Sequence, residues 1–351
     1  MMKSLLIVHP EFERVWPFVA DHFAQLWQAQ APLQFMRLKP DDERVLGTII
    51  GDDGAQDCGA EDCGAAFDRV ATLGVPVTSG CYRQFPNLKE IALEAPYQSL
   101  IDTEMSAALQ ARGVRGYKHP SEGFWGQSVS EFGLALTLCG LRRIPQLHHA
   151  ILSDLAPWDY EPPNGVGTPN ARGQQFGDDS RFTNGTLHGK RVRIVGAGNI
   201  ASRYASFCHA LGADVAAYDP FAQEPNFHRA GARREWHLDR LVQDAEIFVP
   251  MVPLANSTRG LVTREHIAAL PTGCLVVMVT RALICDTQAI RERVLRDELA
   301  LAADVFDVEP LPLNDSLLGR ANVVHTPHNA GRTVQANYSW AAALADQFLP
   351  K

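Results

Sequence analysis

The stretch GKRVRIVGAGNIASRYASFCHALGADVAAYDP, residues 189–220, combines an apolar run, a glycine turn, a helical pattern and a second apolar run. Gly196, Gly198 and Ala201 form a G-x-G-x-x-A pattern directly after the first run. The first glycine permits a tight turn, the second lets the backbone approach a pyrophosphate, and the small third residue lets the helix pack on the strand. A helix that opens near Asn199 would present N–H groups and the positive end of its dipole to the phosphates. The stretch is therefore interpreted as a dinucleotide-binding unit.

An acid completes this unit. Asp219 follows the second apolar run, about 20 residues after the glycines, where a carboxylate can accept hydrogen bonds from the ribose hydroxyls. An ordinary turn with a capping aspartate is the alternative, but the order of strand, turn, helix, strand and acid argues against it. A 2′-phosphate would be repelled by Asp219, and the next residues, PFAQ, contain no Arg or Lys. We predict NAD as the cofactor, bound by Gly196, Gly198, Asn199, Ile200, Asp219 and Pro220.

Composition limits the classes of protein to which the chain can belong. Its 351 residues are 46% hydrophobic, which is enough for two domains with separate cores. The net charge is −8 and no Lys/Arg run stands out, so a nucleic-acid partner is not expected. The apolar run in MMKSLLIVHP is too short for a secretory signal and is interpreted as a first strand. No stretch approaches the about 20 apolar residues of a membrane helix, so we expect a soluble, cytoplasmic protein without a membrane partner.

The seven cysteines are scattered, and only Cys58 and Cys63 lie close together. A metal site would need further Cys or His residues nearby at ligand spacing, and none follows. We expect two reduced thiols in a polar loop and no bound metal.

Short apolar runs alternate with helical patterns along the whole chain, which predicts βαβ units and parallel sheets. A helix over 102–113 should have Asp102 as its N-cap and Gly113 just beyond its end. A long apolar helix over 128–152 should be kinked or split by Pro145. Residues 156–186 are rich in Pro, Gly, Asn and Asp and indicate a long surface loop. The runs interpreted as buried strands are 5–8, 33–36, 45–50, 91–93, 192–196, 214–218, 246–250, 274–279 and 299–306.

Three chemically distinct side chains each follow a predicted buried strand, namely Arg281, Glu309 and His328. Residues just beyond the carboxyl ends of parallel strands face the ligand crevice of an open α/β sheet. A guanidinium can bind a substrate carboxylate, and a histidine can exchange the proton of a hydroxyl while hydride is transferred. A carboxylate beside the histidine orients the ring and favours its protonated form. This set suits the interconversion of a 2-hydroxy acid and a 2-oxo acid. The neighbouring His325 is predicted to be a packed or capping residue of the last strand.

Seven motifs, taken together in their order and spacing, resemble the D-isomer-specific 2-hydroxyacid dehydrogenase family over about residues 128–333. This family includes D-lactate, D-glycerate and phosphoglycerate dehydrogenases and glyoxylate/hydroxypyruvate reductases. The motifs are SVSEFGLALTL (128–138), LHGK (187–190), VGAGNIA (195–201), DAEIFVPMVPLANSTRGLV (244–262), TRALICD (280–286), ADVFDVEP (303–310) and TPHNAGRT (326–333).

The resemblance implies a role for individual residues. Arg281, Glu309 and His328 match the catalytic Arg, Glu and His of the family. Asp304 matches the acid that holds the nicotinamide amide. The resemblance also places Pro253 and Thr258 on the adenosine and phosphate side, and Thr280 and His328 are expected to contact the cofactor.

The resemblance further implies an α/β fold with two Rossmann-like or flavodoxin-like domains, parallel sheets and an interdomain cleft. Residues 1–125 and 334–351 would form the substrate domain, and residues 126–333 the NAD-binding domain. The family is usually a homodimer, and a homodimer that acts on a small-molecule 2-hydroxy or 2-oxo acid is expected here.

The chain departs from the family pattern at EAPYQSLID, residues 94–102, where the family has a glycine-rich substrate loop. Glycine permits positive φ and close approach, whereas Pro96 has no N–H to donate. The amides that bind the substrate carboxylate must then come from Tyr97, Gln98 or Ser99, or the substrate binds differently. The phenol of Tyr97 either lines a pocket for a larger substrate side chain or merely packs. Ala282 also replaces the glycine that usually follows the catalytic Arg.

Two alternatives remain open at this point. The altered substrate loop favours a non-catalytic NAD-sensing or scaffold protein on the same fold, whereas the intact Arg281, Glu309 and His328 argue against one. A dehydrogenase for an atypical substrate, such as phosphite or a phosphorylated or bulky acid, is the other alternative.

Overall fold

A computed structural model describes residues 3–52, 63–119, 124–158 and 178–348. The chain divides into two compact units, one made of Met1–Phe124 with Thr333–Lys351 and one of Trp125–Arg332. Each unit contains one parallel β-sheet, and helices alternate with the strands along the chain. The predicted α/β class with two parallel-sheet domains is confirmed.

The first unit contains a five-stranded sheet. Its strands are β1 (Ser4–Val8), β2 (Leu33–Arg37), β3 (Arg69–Leu73), β4 (Glu90–Glu94) and β5 (Arg115–Tyr117), in the spatial order β2-β1-β3-β4-β5. Every residue of β1, β3 and β4 is buried, as expected for a parallel sheet with both faces covered. The helices are α1 (Pro10–Glu13), α2 (Val19–Gln28), α3 (Leu46–Asp52), α4 (Thr103–Ala111) and the last helix of the chain, α12 (Val334–Ala345).

Aromatic side chains fix the last helix to the first unit. The ring of Trp340 on α12 lies 5.4 Å from that of Phe12 and 5.9 Å from that of Trp16. Phe348 packs edge-on against Trp27 at 4.8 Å. The first unit is therefore assembled from both ends of the chain.

The second unit contains a seven-stranded parallel sheet. Its strands are β6 (Arg191–Val195), β7 (Asp214–Tyr218), β8 (Arg233–Arg234), β9 (Ile247–Pro250), β10 (Leu275–Met278), β11 (Ala300–Ala303) and β12 (Val323–His325), in the order β12-β11-β10-β9-β6-β7-β8. The helices are α5 (Phe124–Arg142), α6 (Ile144–Ala150), α7 (Asn199–Ala210), α8 (Glu224–Ala230), α9 (Leu238–Gln243), α10 (Arg264–Ala269) and α11 (Thr287–Leu295).

This sheet separates two apolar cores. Ile247 and Val249 of β9 face one core, and Phe248 faces the other. The strand order sets the carboxyl ends of β10, β11 and β12 side by side at one edge of the sheet, because the strands are parallel neighbours.

One predicted strand is wrong. Residues 45–50 were expected to be extended, but they belong largely to helix α3. Leu46, Ile49 and Ile50 are buried there, and their spacing is that of one helical face. Strand β3 was not predicted. Its sequence RVATL begins with a charged residue, Arg69, which is not expected in a buried strand. In the structure Arg69 is buried in an ion pair with Glu90 at 2.7 Å.

Several local predictions are confirmed. The carboxylate of Asp102 accepts a hydrogen bond from the N–H of Met105 at the start of α4, and Gly113 has φ +72 beyond its end. The long apolar helix is split before Pro145, where Arg143 adopts φ 52 between α5 and α6. His325 lies in β12 as predicted, but its side chain is exposed rather than packed.

The other expectations concern thiols, metals and membranes. The predictions for the side chains of Cys58 and Cys63 and for most of the 156–186 loop fall outside the described residues. Over the part of the chain that is described, no group of His, Cys, Asp and Glu side chains is suited to a metal ion. None of the helices in these same residues is both long and apolar enough to cross a bilayer.

Candidate cofactor and catalytic site

The glycine turn between β6 and α7 has the shape that a pyrophosphate needs. Gly196 has φ +113, and a Cβ there would lie 2.9 Å from the carbonyl oxygen of Met251. A Cβ on Gly198 would meet no atom within 4 Å, so the backbone at this glycine is open to a ligand. Helix α7 begins at the next residue, Asn199, with its N–H groups at this open end. The turn therefore fits the phosphates of a dinucleotide.

Asp219 connects the end of β7 to the glycine turn. One carboxylate oxygen accepts a hydrogen bond from the N–H of Ala197 at 2.8 Å. The other accepts from the N–H groups of Phe221 and Ala222 at 2.9 and 3.0 Å. The acid thus lies beside the glycine turn, where the sequence predicts ribose binding.

The structure places a cation beside this acid that the sequence analysis missed. Nη2 of Arg234 donates to the backbone carbonyl oxygen of Asp219 at 3.3 Å. The residues directly after Asp219 contain no Arg or Lys, whereas Arg234, 15 positions later in the sequence, is brought there by the pairing of β8 with β7. The position of Arg234 at the end of the following strand was the signal that could have found it.

His328 and Glu309 form the central pair of the candidate catalytic site. Nδ1 of His328 lies 2.7 Å from one carboxylate oxygen of Glu309. The other Glu309 oxygen accepts a hydrogen bond from the N–H of Phe306 at 2.8 Å. Both side chains are about one-third exposed, at 37% for His328 and 34% for Glu309. The Glu309 carboxylate is thereby held in place, and the other ring nitrogen of His328, Nε2, points away from it.

A buried acid holds the turn that carries His328. Asp304 is fully buried after β11, and one of its oxygens accepts from the Thr326 hydroxyl at 2.6 Å and from the Asn329 N–H at 3.1 Å. The other oxygen accepts from the Ala330 N–H at 2.8 Å. His328 itself has φ +53, an uncommon conformation for a residue other than glycine. Asp304, which was expected to hold the nicotinamide amide, thus stabilises the 326–330 turn through these hydrogen bonds.

Arg281 stands at the end of the neighbouring strand, β10. Its Nη1 donates to the carbonyl oxygen of Thr280 at 2.7 Å, and its side chain is exposed. Thr280 is buried, and its hydroxyl donates to the carbonyl oxygen of Pro250 at 3.3 Å. Because β10, β11 and β12 are adjacent, Arg281, Glu309 and His328 follow three neighbouring strand ends.

The loop after β9 contains two further predicted cofactor residues. The hydroxyl of Thr258 donates to the carbonyl oxygen of Pro253 and accepts from the N–H of Ala255 at 2.8 Å. These bonds fix the loop at the carboxyl end of β9, beside the end of β6 that carries the glycine turn.

The altered loop of the first unit forms a tight reversal after β4. The N–H of Ala95 donates to the carbonyl oxygen of Gln98 at 2.8 Å, so the Ala95 amide is engaged within the loop. The indole N–H of Trp16 donates to the carbonyl oxygen of Pro96 at 2.8 Å. The hydroxyl of Ser99 is half-buried and accepts from the N–H of Ile101. Tyr97, at 66% exposure, stands at the tip.

Glu94 lies at the base of this loop. Its side chain is buried, and one of its oxygens accepts from the N–H of His119 at 3.2 Å. Burial raises the pKa of Glu94 to about 7, against the hydrogen bonds from His119 and Ser99, which lower it. The loop therefore begins at a carboxyl group that changes its charge near neutral pH.

One family model and several known proteins are similar to this chain. Residues 167–330 match the family model described as D-isomer specific 2-hydroxyacid dehydrogenase, NAD binding domain. The chain is 34% identical over 154 residues to a hydroxypyruvate reductase of Thermotoga maritima, covering 43% of this chain and 49% of that protein. It is 27% identical over 254 residues to glyoxylate/hydroxypyruvate reductase B of Pectobacterium atrosepticum, covering 71% and 72%.

Other similarities concern length and fold. The chain spans between 32% and 48% of the length of three D-3-phosphoglycerate dehydrogenases that it matches. The fold is similar to that of a D-lactate dehydrogenase from Treponema pallidum, with a TM-score of 0.62, 15% identity and coverage of 98% of this chain and 95% of that one. The resemblance found in the sequence is confirmed: residues 167–330 are similar to the NAD-binding domain of the D-isomer specific 2-hydroxyacid dehydrogenase family, and this match supports NAD(H) as the cofactor.

Proposed function

We propose that the protein is an NAD(H)-dependent oxidoreductase that interconverts a D-2-hydroxy acid and a 2-oxo acid. The observation that carries this proposal is the His328–Glu309 pair, with a 2.7 Å contact, inside an NAD-binding domain. An imidazole held by a carboxylate is suited to exchanging a proton at a hydroxyl or carbonyl oxygen. Arg281 supplies the positive charge that a carboxylic acid substrate requires.

The proposed roles follow from the geometry of these side chains. NADH, when bound, supplies the hydride that is added to C2 of the oxo acid. His328 gives the proton from Nε2 to the C2 oxygen, because Nδ1 faces Glu309. Glu309 orients the ring through its contact with Nδ1, and Arg281 binds the carboxylate. In the reverse direction His328 accepts the hydroxyl proton.

We also propose that the altered loop of the first unit recognises the substrate. The Ala95 N–H is engaged and Pro96 has none, which leaves Tyr97, Gln98 and Ser99 as the predicted amide donors. The exposed Tyr97 ring would contact the substrate side chain. On this proposal the first unit is the substrate domain and the second unit binds the cofactor.

A panel assay tests the proposed function. Oxidation of NADH is measured with glyoxylate, hydroxypyruvate, pyruvate and phenylpyruvate, for the wild type and for His328→Asn. Asparagine tolerates the φ of +53 at this position, so the variant should fold and bind NADH. Loss of the proton donor should reduce turnover about 10²- to 10⁴-fold.

His325→Asn is the matched control, because His325 is exposed and lies three residues earlier. This variant should retain wild-type turnover. If the wild type binds NADH but turns over none of these acids, the protein is a non-catalytic NAD-binding protein or acts on a substrate other than a 2-oxo acid, and the proposal fails.

The predictions of a homodimer and of a cytoplasmic location belong to this proposal. Leu152 and Leu155 are 70% and 76% exposed just after α6, which supports a self-association surface.

A further inference from the structure

A buried tryptophan supports the tip of the loop that follows β4. Trp16 lies between α1 and α2, and its side chain is almost completely buried. Its indole N–H donates to the carbonyl oxygen of Pro96 at 2.8 Å, although the two residues are 80 positions apart in the sequence. This bond fixes the direction of the peptide group that joins Pro96 to Tyr97.

The direction of this peptide group determines where the next amide points. The bond between Pro96 and Tyr97 is trans, so its carbonyl and its N–H point in opposite directions. Because the Pro96 carbonyl points towards Trp16, the N–H of Tyr97 points away from Trp16. The loop therefore has a defined amide direction at its tip without a glycine there.

The rest of the loop is closed by its own hydrogen bonds. The Gln98 carbonyl accepts from the Ala95 N–H at 2.8 Å, and the Leu100 N–H donates to the Leu93 carbonyl at 2.7 Å. By the same peptide geometry, the N–H of Ser99 points away from Ala95. The internal bonds thus close the reversal, and the bond from Trp16 orients its tip.

The residues that hold the tip and the base of the loop pack against the same side chain. The ring of Trp16 lies 5.9 Å from that of Trp340 on α12, and the ring of His119 stacks on Trp340 at 4.4 Å. His119 also donates its backbone N–H to the buried carboxyl group of Glu94, where the loop begins. The shape of the loop is therefore tied to the aromatic core of the first unit.

We propose that Trp16 is a positioning residue for the substrate, because it orients the Tyr97 amide in the loop that binds the carboxylate of a 2-oxo acid. This inference rests on the proposed function, since it takes residues 94–99 as the segment that recognises the substrate. Trp16 acts through the loop and not on the reacting atoms. Loss of its N–H should therefore weaken substrate binding and leave the chemical step unchanged.

Steady-state kinetics of Trp16→Phe test this role. Phenylalanine keeps an aromatic ring in the core but has no N–H to donate to Pro96. The KM for the best 2-oxo acid should rise about three- to tenfold, the value of one hydrogen bond. The kcat, and the NADH affinity measured by calorimetric titration, should stay within about twofold of the wild type.

Trp27→Phe is the matched control. Trp27 is a second buried tryptophan of the first unit, but its indole nitrogen has no hydrogen-bond partner within the described parts of the chain. This variant loses the same ring atoms and should keep the wild-type KM. An unchanged KM in Trp16→Phe overturns the inference. An equal rise in both variants also overturns it, because general loss of packing would then explain the effect.

Hydrogen exchange separates this inference from the proposed function. The N–H groups of Ala95 and Leu100 close the loop, and they should exchange several-fold faster in Trp16→Phe than in the wild type or in Trp27→Phe. A wild type that turns over no 2-oxo acid defeats the proposed function but leaves this measurement intact. Unchanged exchange in Trp16→Phe shows that Trp16 does not position the loop.

Discussion

At the scale of single residues, chemical type and position after a strand predict His328, rather than His325, as the catalytic histidine. His328 was singled out because Glu309 and Arg281 follow neighbouring strands, and the structure places His328 against Glu309. Arg234 could not be predicted in the same way. Its proximity to Asp219 depends on strand pairing, and a search limited to nearby sequence positions does not detect it.

The two glycines of the turn should respond differently to alanine. Gly196→Ala forces a side chain into φ +113 and against the Met251 carbonyl oxygen, at a cost of about 1–3 kcal/mol, and lowers the melting temperature by several degrees. Gly198→Ala meets no protein atom within 4 Å and has an ordinary φ of −74, so it should melt like the wild type.

Calorimetric titration with NADH then separates fold from binding. Gly198→Ala should lose at least about tenfold in affinity, because the added methyl occupies the space that the pyrophosphate approaches. Unchanged NADH affinity in this stable variant would show that the cofactor does not bind at the turn.

At the scale of elements, buried polar groups determine local structure that the pattern of apolar residues does not predict. Asp304 organises the turn after β12, and its three partners lie more than 20 residues away in sequence. The 45–50 run was misassigned because a short apolar run fits a strand and a helix equally well. Only the buried spacing of Leu46, Ile49 and Ile50 distinguishes the two.

Glu94 should make the stability of the protein depend on pH. Its pKa is raised from 4.5 to about 7, so between these values the folded chain holds a proton that the unfolded chain has lost. Stability should therefore fall as pH rises from about 4.5 to 7 and level off above. Glu94→Gln removes this loss and should be stabilising at pH 8 by up to about 3 kcal/mol.

Urea unfolding at pH 5 and at pH 8 measures this effect. The advantage of Glu94→Gln over the wild type should be small at pH 5 and large at pH 8. Glu104→Gln on the exposed first turn of α4 is the control and should show no such difference. An advantage that does not change with pH would rule out a proton held by Glu94.

At the scale of the whole molecule, the sequence predicted two parallel-sheet domains because strands and helices alternate throughout. The seven motifs predicted the resemblance that the family model finds for residues 167–330. A self-association surface is harder to predict from sequence, because the sequence does not distinguish an exposed leucine from a buried one. Only the structure shows that Leu152 and Leu155 are both exposed.

We expect the protein to be a dimer that this surface stabilises. Light scattering after size-exclusion chromatography should give twice the 38.6 kDa of the chain. The double change Leu152→Asp and Leu155→Asp should yield the monomer, because two charges in an apolar contact are costly. Leu313→Asp, at an isolated position with 97% exposure, should leave the dimer intact. A wild-type monomer would contradict the expectation.

The placement of Trp340 among Phe12 and Trp16 has a consequence for biosynthesis. The second unit is one continuous segment, Trp125–Arg332, and can complete its sheet as soon as that segment has left the ribosome. The first unit needs helix α12, so its aromatic core stays open to solvent, and to chaperones, until residues 334–348 have been synthesised.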